Sequence, residues 1–125
     1  MDVSVVNPFI SATVETFKTM LALDLETGVP ALKQEATHTY DVSGVIGLSG
    51  EAQGVISLSF PKIMALKVVS KLLGMEIKVV GPDLTDGIGE LANIVAGYAK
   101  QGLTDYNLSI PDYRKVKNKL LKSLK

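Results

Sequence analysis

Glu90 and Asn93 stand three residues apart in the run Asp86-Gly-Ile-Gly-Glu-Leu-Ala-Asn-Ile-Val-Ala-Gly97. On a helix that spacing sets a carboxylate and a carboxamide side by side, one turn apart. A carboxylate accepts hydrogen bonds and pairs with cations, whereas a carboxamide both donates and accepts. Asp86, Glu90, Asn93 and Gly97, at steps of 4, 3 and 4, fall on one stripe. Ile88, Leu91, Val95 and Tyr98, at steps of 3, 4 and 3, fall on another. At about 100° per residue the two stripes lie roughly 160° apart, one suited to a core and one to display.

Spacing alone leaves three readings of the polar stripe open: a functional pair, a helix-packing surface and an ordinary solvated face. Solvated faces are usually built from good helix formers such as Lys, Glu, Gln and Arg. Asn is a poor one, and Gly89 and Gly97 each cost roughly 1 kcal/mol against Ala inside a helix. Three weak formers on or near one stripe point to something that must approach the backbone closely.

The elements that hold this helix can be read along the chain. Asn7-Pro8 starts a first helix, with Asn as cap and Pro in the first turn. Its core stripe is Ile10, Val14, Phe17 and Leu21, and it ends near Asp24, before the break Thr27-Gly28-Val29-Pro30. Residues 31–40 read as a polar strand, with His38 a plain strand residue. Tyr40–Leu48 and Gly54–Phe60 form a hairpin, in which Ile56, Leu58 and Phe60 alternate with Val55, Ser57 and Ser59. Gly44, Gly47, Gly50 and Gly54 crowd it, which implies a bulged or tight pair, or close helix packing over the sheet. Pro61 opens a second helix with Met64, Val68, Leu72 and Leu73 inward and Gly74 as its stop. Glu76–Val80 is a short strand or extended link. Pro82-Asp83 then begins the third helix, which runs to about Leu103, and Asn107–Pro111 starts another strand. The order α-β-β-α-α-β predicts an α+β domain, an antiparallel sheet with helices packed on one face.

Composition narrows the chemistry. The chain of 125 residues is 46% apolar and 21% charged, enough to bury a core and unlike a disordered chain. It has no cysteine and one histidine, which excludes a thiolate nucleophile, a cysteine zinc site and a His-rich metal centre. The Met-Asp-Val-Ser start is no secretory signal, and no stretch approaches the ~20 apolar residues of a membrane span. A cytoplasmic protein is expected. The formal net charge is zero but uneven: residues 1–111 hold 7 Lys/Arg against 12 Asp/Glu, and residues 112–125 hold 6 Lys/Arg against one Asp.

Asp86-x-x-x-Glu90-x-x-Asn93, with its last part inside the run Gly89-Glu-Leu-Ala-Asn-Ile-Val-Ala-Gly97, resembles the signature helix of the CheC/CheX family of bacterial chemotaxis phosphatases. The opening Asn-Pro-Phe-Ile and the hairpin Tyr40-Asp-Val-Ser-Gly-Val-Ile-Gly-Leu-Ser-Gly50 are similar to the CheX branch. That branch carries one signature helix and forms dimers, whereas CheC proteins carry two. Here the first helix has Lys18 three residues after Glu15, where a second copy needs Asn, so only one copy is present.

The resemblance implies hydrolysis of the aspartyl phosphate of a phosphorylated CheY-like response regulator. It makes Asn93 the residue that orients the attacking water and Glu90 the partner of the receiver's active-site lysine. Asp86 is placed at the periphery, with Gly89 and Gly97 allowing close approach. Phosphoryl transfer is mostly positioning and charge stabilisation, so these groups suffice. The resemblance implies no cofactor or metal ligand of the chain's own, with Mg2+ supplied by the response regulator, and neither nucleic acid nor membrane as a partner. The alternative is a non-catalytic receiver-binding module of the same fold, and intact Asn93 favours the enzyme.

The expected domain is residues 1–111. Residues 112–125 depart from the family pattern: Tyr113, Val116, Leu120 and Leu124, at steps of 3, 4 and 4, predict a basic amphipathic helix. Such a helix would pack on the body or an acidic partner, bind a membrane or nucleic acid, or mark residues missing around Pro111-Asp112.

Overall fold

The computed structural model describes residues 3–28, 40–50, 54–103, 108–109 and 115–118. Three helices, α1 (Val3–Leu21), α2 (Lys62–Leu73) and α3 (Pro82–Leu103), accompany four strands: β1 (Val42–Gly50), β2 (Gly54–Phe60), β3 (Leu108–Ser109) and β4 (Lys115–Asn118). β1 is the centre of the sheet. It pairs antiparallel with β2 on one side and with both β3 and β4 on the other.

The alternating pattern of β2 sets which face of the hairpin is buried. The register Val42↔Phe60, Gly44↔Leu58 and Ile46↔Ile56 stacks Val42, Ile46, Ile56, Leu58 and Phe60 on one face. The helices cover that face. Phe9, Ala12, Ala92, Val95, Ala96 and Ala99 pack with Ile46, Ile56 and Leu58, while Phe17, Ala65, Val68, Leu84, Ile88 and Leu91 pack with Val42 and Phe60. The Phe17 and Phe60 rings stack at 6.3 Å between centroids. On the other face of the hairpin, Ser43 and Ser59 share a hydrogen bond of 2.9 Å between their hydroxyls.

α2 and the link after it hold the start of α3. The Lys62 N–H at the head of α2 donates to Asp41 Oδ2 at 2.8 Å, which ties α2 to the base of β1. Gly74 ends α2 with φ 67°, a left-handed conformation that glycine adopts without a Cβ penalty. Ser70 Oγ accepts the Ile77 N–H at 2.9 Å and donates to Leu66 O at 2.6 Å, pinning an extended link rather than a strand. Buried Ile77 completes the anchor.

Four expectations are corrected. α1 begins at Val3, not at Asn7-Pro8, so Pro8 lies inside the helix. Proline interrupts the helical hydrogen bonding there, but its ring packs against the last turn of α3, where a Cβ on Gly102 would come 2.9 Å from Pro8 Cβ. α1 ends at Leu21, short of Asp24, because Ala22 turns left-handed at φ 53°. In α2, Met64 and Leu73 are exposed, and Ala65, Val68 and Val69 form the buried stripe. The short α2 has an apolar arc wider than the face it buries.

The fourth correction concerns the tail, where Lys115–Asn118 is a strand and not part of a helix. It pairs from Val45↔Lys115 to Val42↔Asn118 along the edge of β1 left open by β2. An open edge leaves backbone donors and acceptors unpaired, and a strand added there satisfies them. That gain outweighs a helical periodicity resting on a handful of residues. Tyr113, Leu120 and Leu124 lie outside the described residues, as do His38 and the rest of residues 31–39 of the polar strand expected over 31–40. Tyr40, which is described, is not in a strand; its N–H donates to Ser59 Oγ at 2.7 Å.

Candidate functional site

α3 runs over the bounds read from the sequence, Pro82 to Leu103. Pro82 supplies a φ suited to the first turn at no hydrogen-bond cost. Leu84, Ile88, Leu91, Val95 and Leu103 are all 1% exposed or less. Each buries enough apolar surface for about 1.5–3 kcal/mol, which fixes the rotation of the helix about its axis.

Packing tightens that rotation further. A Cβ on Gly44 of β1 would sit 2.8 Å from Ala92 Cβ and 3.4 Å from Ile88 O, so the helix backbone lies almost on the sheet at this turn. A Cβ on Gly87 would sit 2.5 Å from Val69 Cγ1, so α2 is pressed against α3 one turn earlier. Gly44 shows that close helix packing is the reason for glycine at that point of the hairpin. Real Cβ contacts are wider than these. Three supports (sheet, α2 and α1) hold the inner face of α3 along its length.

The outer face follows from the inner one. Asp86, Glu90, Asn93 and Gly97 are all exposed, so the polar stripe is displayed as its spacing predicts. With a rise of about 1.5 Å per residue it covers roughly 16 Å of helix. Glu90 and Asn93 are three residues apart, which sets their Cβ atoms about 5–6 Å from each other on one surface. Asp83 is exposed on the same helix, so three carboxylates precede Asn93 before the first cation, Lys100. The arrangement suits contact with a cationic group at Glu90, and it offers an amide that can hold one water from both sides. Among the described residues no three His, Cys, Asp or Glu side chains gather to hold a metal ion, and no helix is long and apolar enough to cross a membrane.

Two residues fall elsewhere than expected. Gly89 is buried: about 100° round the helix from Ile88, it lies at the edge of the inner arc and not on the displayed stripe. Tyr98 is 47% exposed and not part of the core. The core face is instead continued by Ala99 and Leu103, both buried. On α1, Glu15 and Lys18 share the i, i+3 spacing of the pair on α3 and are exposed too, but carry no amide.

Residues 42–124 match the family model of the chemotaxis phosphatase CheX, a span that crosses Pro111-Asp112 and includes β4. The chain is 35% identical over 98 residues to the CheY-P phosphatase CheX of Thermotoga maritima, covering 78% of this chain and 63% of that protein. Its fold is similar to the crystal structure of a CheC-like superfamily protein from Shewanella sp. PV-4, with a TM-score of 0.82, 33% identity and coverage of 94% and 78% of the two chains. It is also similar to CheX in a CheX–CheY–BeF3–Mg2+ complex from Borrelia burgdorferi, with a TM-score of 0.76, 25% identity and coverage of 92% and 77%.

Proposed function

Because this chain belongs to the CheX family of chemotaxis phosphatases, we propose that it hydrolyses the aspartyl phosphate of a phosphorylated CheY-like response regulator. The observation that carries the reading is the joint exposure of Glu90 and Asn93 on the outer face of a helix whose inner face is locked. A relative named as a CheY-P phosphatase and a related CheX solved with CheY, BeF3 and Mg2+ support it.

In this mechanism α3 lies over the phosphorylated site of the receiver. The Glu90 carboxylate pairs with the receiver's active-site lysine and sets the register of docking. The Asn93 amide then holds a water in line with the scissile bond, accepting from it with its oxygen or donating to it with its NH2. The water oxygen bonds to phosphorus as the bond from phosphorus to the aspartate oxygen breaks. Inorganic phosphate leaves, and the receiver's carboxylate is restored. Mg2+ comes with the receiver and balances the charge of the transferring group. Asp86 lies one turn before Glu90 and adds to the negative end of the docking stripe. The same reading takes the protein as a cytoplasmic homodimer.

The test is release of inorganic phosphate from Mg2+-bound, phosphorylated CheY, with wild type beside Asn93→Ala. Acceleration by wild type that disappears in Asn93→Ala supports both the activity and the residue that carries it. Acceleration that survives the substitution keeps the activity and removes this mechanism. No acceleration by wild type overturns the enzyme and leaves a receiver-binding module.

A further inference from the structure

The next turn of α3 carries two features that the packing of this chain does not explain. The first is Gly97. Gly44, Gly87 and Gly102 each face a neighbour that a Cβ would meet at 2.5–2.9 Å, but a Cβ on Gly97 would meet nothing within 4 Å. Its φ is not positive either, so no turn demands glycine there. An exposed glycine inside a helix costs about 1 kcal/mol relative to alanine, and nothing inside the described fold offsets that cost.

The second feature is Tyr98, a large aromatic left 47% exposed although its spacing from Val95 suits the core. Ile94, four residues before it, is half-buried, and residues at i and i+4 on a helix touch. Ile94 is also four residues after Glu90, and Gly97 four after Asn93. At about 100° per residue Ile94 and Tyr98 lie about 40° and 80° round the helix from Glu90, so an apolar flank adjoins the glutamate side of the polar pair. Aromatic side chains of this kind are enriched at interfaces, because one ring offers both apolar area and a hydroxyl at low entropic cost.

We infer that the receiver domain seats on this turn as well as on the polar pair, with Gly97 at the point of closest approach and the Tyr98 ring, backed by Ile94, as the footing that sets affinity. The inference rests on the reading of the chain as a receiver phosphatase. It assigns binding to Tyr98 and leaves the chemistry to Glu90 and Asn93.

Binding and turnover separate the two claims. Affinity is read by titrating the protein into CheY loaded with Mg2+ and beryllofluoride, which needs no hydrolysis, and turnover by phosphate release from phosphorylated CheY. Tyr98→Ala is expected to weaken binding about ten-fold and to raise KM alike, with kcat within about two-fold, as for loss of an interaction made equally in ground and transition states. Tyr98→Phe, which keeps the ring, is expected to bind like wild type. Gly97→Gln is expected to weaken binding about ten-fold or more while thermal stability holds or rises, the opposite of a packing defect. Wild-type binding left unchanged by Tyr98→Ala and Gly97→Gln overturns the inference and leaves the phosphatase reading intact. Binding that depends on Tyr98 without any hydrolysis overturns the phosphatase reading and keeps the footing. No binding by wild type overturns both.

Discussion

The inner and outer faces of α3 use the same residue type for opposite ends. Gly87 and Gly102 on the inner side, and Gly44 across from it on β1, are filled by neighbours within 3 Å of where a Cβ would stand. Gly97 on the outer side faces open space. Inside, glycine lets this chain pack on itself, against Val69, Ala92 and Pro8. Outside, the missing side chain has no counterpart among the described residues, and the proposed receiver contact would account for it. The contrast also divides the energetics. Changes on the inner face are expected to act on folding and, under the proposed function, changes on the outer face to act on recognition and chemistry with folding nearly untouched.

The largest effect is expected on the outer face. Asn93→Ala should lower phosphate release by about 10²–10³-fold, the scale seen when one preorganised polar group is removed from a transition state. Its melting temperature should match wild type, since Asn93 is exposed. A large drop in stability would break the division between the faces. Next in size is the inner face: Gly44→Ala should destabilise by about 1–3 kcal/mol in chemical denaturation, because the new methyl meets Ala92 Cβ. Combining it with Ala92→Gly should recover part of that loss, and simple additivity of the two would argue against this contact.

A smaller, stabilising change is expected in α1. Among the described residues, Thr16 Oγ1 is a buried side-chain oxygen without a hydrogen-bond partner. Thr13 and Thr19 donate to the carbonyls four residues earlier, at Phe9 and Glu15. Thr16→Val removes the buried hydroxyl and should raise stability by about 1 kcal/mol, read from the denaturation midpoint. The smallest effect belongs to Gly97→Ala, which should gain roughly 0.5–1 kcal/mol from helix propensity alone. A loss instead would show that the outer glycine serves the fold after all.

Much of the site was legible because it lies within one helix. Asp86, Glu90, Asn93 and Gly97 are displayed as their steps of 4, 3 and 4 imply. Ile88, Leu91 and Val95 are buried opposite them, since a 3.6-residue period acts between neighbouring turns. The margins of that face were not legible. Gly89 is drawn into the body and Tyr98 is left outside. The width of the buried arc depends on how close the sheet and α2 come, and these distances are set by Gly44 and Gly87. The same limit appears at Pro8, a helix start by local rules that became a packing contact with α3.

By itself the sequence determined what depends on residues a few positions apart: the span of α3, the inward face of β2 in the hairpin, the stop of α2 at Gly74 and the family signature. Only the tertiary structure decided what depends on partners far along the chain. Lys115–Asn118 lies within a stretch of helical periodicity, Tyr113 to Leu124, yet it pairs as a strand with Val42–Val45. Local periodicity describes which side of an element can be buried. Whether a segment becomes a helix or completes a sheet is decided by the backbone hydrogen bonds that a distant edge leaves to be satisfied.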